Sequence, residues 1–121
     1  METIFLPLAG LFGGLGVALG AFGAHALNTR LHPDRLLTFE TAVRYQLIHA
    51  LALSSAGILI ILFPVSSFPV IAAWLFTAGI LLFSGSLYLL VFTNQPWFGA
   101  IAPLGGLALI AGWVCLGSTA L

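Results

Sequence analysis

Seven side chains in this sequence set ionisable or hydrogen-bonding chemistry in apolar surroundings: His25, Glu40, Arg44, Tyr45, His49, Ser86 and Tyr88. Glu40 and Arg44 stand four positions apart, the spacing at which a carboxylate and a guanidinium meet on a helix. Tyr45 and His49 repeat that spacing on an adjoining face. Two histidines and an arginine sunk in apolar sequence suit proton relay, anion binding or capture of a lipid headgroup. Plain structure is the competing account. An arginine one turn inside a span snorkels to the headgroups, and a neutral histidine is satisfied by a carbonyl or a tyrosine. Glu40 and Arg44 therefore read first as a structural tether. The expected arrangement is one hydrogen-bonded cluster with Arg44 as hub, because its planar fork serves several acceptors at once.

Other chemistries lack their residues. Two histidines on separate helices are too few ligands for a haem or metal site, and Cys115 is the only cysteine, so no metal or other cofactor is expected. The glycines precede no Lys-Ser/Thr, which a phosphate loop requires. Ser84-Gly85-Ser86 lacks the strand-turn-helix setting of a nucleophile elbow. No catalytic residue is assigned.

The elements that position these groups must live in lipid. The chain has 121 residues, of which 61% are hydrophobic and 5% charged. A soluble domain carries roughly 25% charged residues. The charges are Glu2, Arg30, Asp34, Arg35, Glu40 and Arg44, with no lysine. This excludes a soluble enzyme, a disordered chain, a disulfide scaffold and a nucleic-acid binder, which needs a basic surface. The class is a multi-pass integral membrane protein with membrane lipids around it.

A helix needs about 20 apolar residues to cross the hydrocarbon core. Four spans qualify, at about 3–27, 41–63, 69–92 and 98–121, with a charged loop at 28–40. In that loop Leu31, Leu36 and Leu37 are placed to rest on the membrane surface as a short helix. Pro64 and Pro69 frame one turn, and Asn94-Gln95-Pro96-Trp97 marks another. Pro103 is expected to end a short turn or to kink the last span. The first span has no basic region before it and is too long for a signal peptide, although Ala24-His25-Ala26 has the small-x-small form. The fold expected is all-α: a single domain over 1–121, a four-transmembrane-helix up-and-down bundle. Arg30 and Arg35 orient the charged loop to the cytoplasm and both termini outward.

Helices in lipid associate by close backbone approach. Gly13, Gly16, Gly20 and Gly23 recur at spacings of three and four, and Gly105 and Gly112 mark the last span. Gly14, Ala18, Ala21 and His25 form a second stripe on the first span. Leu8, Leu11, Phe12, Leu15, Leu19 and Phe22 are left to face lipid. The third span carries Ala72, Gly79 and Ser86. Gly16-x-x-x-Gly20 suits either a dimer face or packing within the bundle, and we read these glycine/alanine-rich seams as packing within it.

The chain resembles a known family at Gly20-Ala21-Phe22-Gly23-Ala24-His25-Ala26-Leu27, at Thr41-Ala42-Val43-Arg44-Tyr45-Gln46 with His49-Ala50, and at Phe83-Ser84-Gly85-Ser86-Leu87-Tyr88. Pro103-Leu104-Gly105-Gly106 and Gly112-Trp113 continue the likeness. These motifs are similar to the YgdD/YwdK-type small membrane proteins (domain of unknown function 423), which include the animal transmembrane protein 256. The resemblance spans nearly the whole chain. It implies a four-span protein of the bacterial inner membrane and brings no reaction, substrate or cofactor with it.

Three functional expectations stand side by side. The leading one is a small non-catalytic membrane protein that supports membrane integrity or accompanies a larger membrane complex, alone or as a homo-oligomer. The second is a small transporter or channel subunit handling protons or anions. The third is a lipid- or quinone-binding protein. A closed, dry bundle favours the first, a water-lined route the second, and a lipid-shaped groove ending at Arg44 the third.

Overall fold

The structure, a computed structural model, describes residues 4–121. Thr3, where the first span was expected to begin, lies outside them. Four helices follow in order: α1 (Phe5–Phe22), α2 (Pro33–Leu62), α3 (Phe68–Thr93) and α4 (Ala102–Ser118). A π-helical turn, Gly23–Leu27, extends α1, and a 3-10 turn, Pro96–Ala100, leads into α4. With these extensions the four spans measure 23, 30, 26 and 23 residues. Each exceeds the length needed to cross the hydrocarbon core.

Local chemistry explains the helix ends. His32 caps α2: its Nδ1 accepts from the Asp34 N–H at 3.2 Å, Pro33 opens the first turn and Asp34 complements the helix dipole. Asn94 ends α3 in the left-handed region at φ 56°, its N–H bonded to the Leu90 carbonyl at 2.9 Å. Pro103 lies in the first turn of α4, where a missing N–H costs nothing. It therefore separates the 3-10 turn from α4 and does not kink a span.

The charged segment is the main correction to the expected boundaries. Residues 33–40 are not a loop but the first two turns of α2. They are held by packing: Phe39 is buried with Leu27, Val43 and Val91, and Leu31 and Leu36 pack against that cluster. Arg35 adds a polar tie, donating from Nε and Nη2 to Oδ1 of Asn94 at 3.1 and 3.0 Å. Counting about 20 residues back from Leu62 puts the hydrocarbon edge near Val43. Glu40 is thus at headgroup level, Arg44 at the edge, and His49 about 9 Å below it.

Helices α2 and α3 form the central pair. α1 packs on α2 and α4 on α3. The main core joins Phe5 and Phe12 of α1, Leu53 and Ala56 of α2, Phe76 and Ile80 of α3, and Leu109 of α4. Phe12 is therefore a core residue and not lipid-facing, and Leu8 packs beside it. The stripe of Gly14, Ala18, Ala21 and His25 is exposed instead of meeting a second neighbour. α1 has one principal partner, so one of its two small faces stays open.

Candidate functional site

Gln46 is the polar centre of the loop-side half. It is buried, and its Nε2 donates to the Phe12 carbonyl of α1 at 2.8 Å. Its Oε1 accepts from the Tyr88 hydroxyl of α3 at 2.6 Å. One amide on α2 thus ties three helices. Glycine at position 16 makes this approach possible: a Cβ there would stand 2.7 Å from Leu47 Cδ2 and 3.5 Å from Gln46 Nε2. Ser84 adds a second tie, donating to the Ala42 carbonyl of α2 at 2.7 Å.

His49 bonds in the other direction. Trp113 of α4 donates its indole N–H to His49 Nε2 at 2.9 Å. Nδ1 meets the Tyr45 carbonyl at 2.8 Å. An indole only donates and a carbonyl only accepts, so both bonds together require the neutral Nδ1–H tautomer. Phe76 stands edge-on to Trp113 with centroids 5.4 Å apart, and Tyr45 stacks on the His49 ring at 5.9 Å. Both imidazole nitrogens are occupied by these two bonds.

The expected cluster of seven does not form. Tyr88 joins Gln46, and His49 joins Trp113 with Tyr45 alongside. Ser86 bonds its own helix, at the Phe83 carbonyl, 2.9 Å away. His25, Glu40 and Arg44 are exposed. Among the described residues none of their side chains forms a hydrogen bond or ion pair, so Arg44 is not a hub and the Glu40–Arg44 pair is open. The reason is geometric: at the membrane edge a guanidinium is solvated by headgroups and water, and a bundle partner adds little. Among the described residues, no three His, Cys, Asp or Glu side chains gather closely enough to hold a metal ion.

Gln46, Ser84 and Trp113 are the polar residues the sequence reading left out of the site. Each had a signal. Gln46 and Ser84 sit inside the motifs that carry the family likeness, and an indole N–H within a span needs an acceptor.

Comparison with known proteins decides the family. The profile described as a protein of unknown function (DUF423) matches residues 19–106. The chain is 41% identical over 113 residues to the UPF0382 membrane protein YwdK of Bacillus subtilis, covering 93% of this chain and 92% of that one. The chain belongs to this family. It is also 41% identical over 114 residues to the UPF0382 membrane protein SAB0533 of Staphylococcus aureus, with 93% and 91% covered. A UPF0382 membrane protein of Haemophilus influenzae is 36% identical over 116 residues, with 96% and 92% covered. No solved structure matches the chain. Four apolar spans and bacterial membrane-protein relatives make this DUF423 chain a multi-pass plasma-membrane protein. The matched stretch contains Gln46, His49, Ser84 and Tyr88, while Phe12 and Trp113 fall outside it.

The small residues hold the DUF423 bundle at its tightest crossings. A Cβ on Gly105 would come 2.7 Å from the Leu82 carbonyl carbon and 2.8 Å from Phe83 Cα, so α3 and α4 meet backbone to backbone. Gly79 faces Gly105 there, with the Gly105 oxygen 3.2 Å from where its Cβ would be. Gly112 and Gly23 receive the rings of Phe76 and Phe39, a Cβ at either closing to 2.7 and 2.6 Å. Gly20 is looser, at 3.3 Å from Val43, and Gly13 has ordinary contact at 3.9 Å from Ala50.

Proposed function

We propose that this protein is a non-catalytic membrane component that supports membrane integrity or accompanies a larger membrane complex. The observation that supports this is where its buried polar groups are spent. Among the described residues every buried side-chain nitrogen and oxygen has a hydrogen-bond partner. The buried Gln46, His49 and Ser84 and the half-buried Tyr88 each bond to a neighbouring helix, and the buried Thr77, Ser86 and Thr119 bond to carbonyls of their own. A substrate site keeps polar groups free to meet its ligand, whereas these serve the bundle. Homo-oligomerisation, or assembly with other membrane proteins, fits the open small-residue face of α1. The test is envelope leakage. Cells lacking the gene should take up more of a membrane-impermeant dye under osmotic stress, and the wild-type chain should restore exclusion. Equal uptake with and without the gene would sink the membrane-support reading.

A further inference from the structure

One groove carries charge that the bundle does not use. Between α1 and α2, near the hydrocarbon edge, lies a cavity of about 290 Å³ walled by Gly20, Gly23, Val43 and Leu47, with Glu40 and Arg44 at its mouth. A second cavity of about 510 Å³ continues below it along the same pair of helices. The two share Leu47 as a wall, and the lower one runs past Gly13, Gly10 and Ala50 to Ser54. From Arg44 to Ser54 is ten residues, or about 15 Å, which is half the thickness of a hydrocarbon core. The length therefore fits one acyl chain of one leaflet.

We propose that this groove binds a glycerophospholipid with a primary-ammonium headgroup from the loop-side leaflet. Arg44 takes the phosphate, Glu40 takes the ammonium, and the acyl chain lies over Gly20, Gly13 and Gly10. Charge complementarity selects this occupant. A guanidinium fork matches phosphate oxygens. Glu40 stands one turn, about 6 Å, further out than Arg44. In such a lipid the phosphate is nearer the hydrocarbon and the ammonium is outside it, which is the same order. A glycerol headgroup leaves Glu40 facing a phosphate diester without a cation. A choline headgroup has no N–H to donate. A groove ending at Arg44 is what a lipid-binding protein requires, and it adds to the scaffold role without depending on it, since a bundle braces a membrane with or without a lipid here.

The test uses the full chain, purified in mild detergent and titrated with equal amounts of phosphatidylethanolamine, phosphatidylglycerol and phosphatidylcholine. Native mass spectrometry counts retained lipid and subunits. The wild type should retain the ethanolamine lipid in preference to the other two. Glu40→Gln, at an exposed side chain with no hydrogen bond or ion pair among the described residues, should cut that preference about threefold, the scale of an exposed charge pair. Gly10→Leu should lower retention of all three lipids. A Cβ at Gly10 meets nothing within 4 Å, so this change fills the groove without forcing the helices apart. Gly117→Leu is equally unobstructed, lies outside both cavities and should change nothing. Equal retention of the three lipids, an unchanged preference in Glu40→Gln, or a dimer that seals the groove without lipid would each overturn the proposal.

Discussion

Trp113 and His49 meet across 2.9 Å, and that bond places the indole of α4 against the imidazole of α2. With Nδ1 on the Tyr45 carbonyl at 2.8 Å, the ring has no free nitrogen. His49 thus joins α2 directly to α4, two helices that each pack most extensively on α3. Trp113→Phe removes the donor and leaves Nε2 without its partner. A double-mutant cycle with His49→Phe, read by unfolding in mixed micelles, should give a coupling of about 0.6 kcal/mol, the mean for hydrogen bonds between membrane helices, and no more than about 1.7 kcal/mol, their maximum. Additive losses would mean the bond contributes nothing.

The small residues should rank by what their missing Cβ atoms would strike. Gly105→Ala drives a methyl group into the backbone of α3 at Leu82 and Phe83, so we expect a loss of about 3 kcal/mol, the upper range for overpacking. Gly20→Leu should cost less, because Val43 is a side chain at 3.3 Å and one flank is the open groove. Gly13→Ala and Leu15→Ala should be mild. Thermal stability in detergent tests the order. A Gly13 variant as damaged as the Gly105 variant would show that the α3–α4 crossing is not the tightest.

Arg44 carries an expectation opposite to that of a hub. Its side chain is exposed and makes no bond to the described residues. Arg44→Ala and Arg44→Lys should therefore shift unfolding by less than about 0.5 kcal/mol, as surface changes do. His49→Phe should cost more than either. A steep loss in Arg44→Lys would restore the guanidinium to the centre of the structure.

The orientation remains a matter of charge. Arg30 and Arg35 lie at the end where α1 meets α2, and the turn at Pro64–Ser67 is neutral. By the positive-inside rule we expect residues 28–40 in the cytoplasm and both termini outside. Single cysteines at Thr29 and Ser66, in a Cys115→Ala background, read this out. Labelling of position 29 by an impermeant reagent in intact cells would reverse the topology.

Helix number and order were legible because 20-residue apolar runs separated by proline and asparagine have few alternatives in lipid. The start of α2 was missed because charged residues suggested a loop. His32-Pro33-Asp34 already spelled a cap, a first-turn proline and a first-turn acid. The lipid-facing side of α1 was partly misassigned, since periodicity shows that Phe12 and Leu15 differ in angle but not which neighbour is absent. The polar site was the least legible. Spacing along one helix suggested Glu40 with Arg44 and Tyr45 with His49, and the first of these pairs is open. In the second, the two rings stack while the hydrogen bond runs to the Tyr45 backbone carbonyl. The side-chain bonds that formed, Gln46 with Tyr88 and His49 with Trp113, join residues 42 and 64 positions apart. Such separations are set by how α2, α3 and α4 dock, which no local pattern encodes.

The central claim is that the polar side chains bonded between helices hold the bundle together and meet no substrate. A complementation series tests it most directly, using Gln46→Leu, Tyr88→Phe, Ser84→Ala, His49→Phe and Trp113→Phe in cells lacking the gene. Dye exclusion and the amount of folded protein in the membrane are measured for each. The account predicts that exclusion follows folded protein on one line for all five variants. A variant that accumulates to the wild-type level and still fails to restore exclusion would contradict it, and would assign that side chain to chemistry instead.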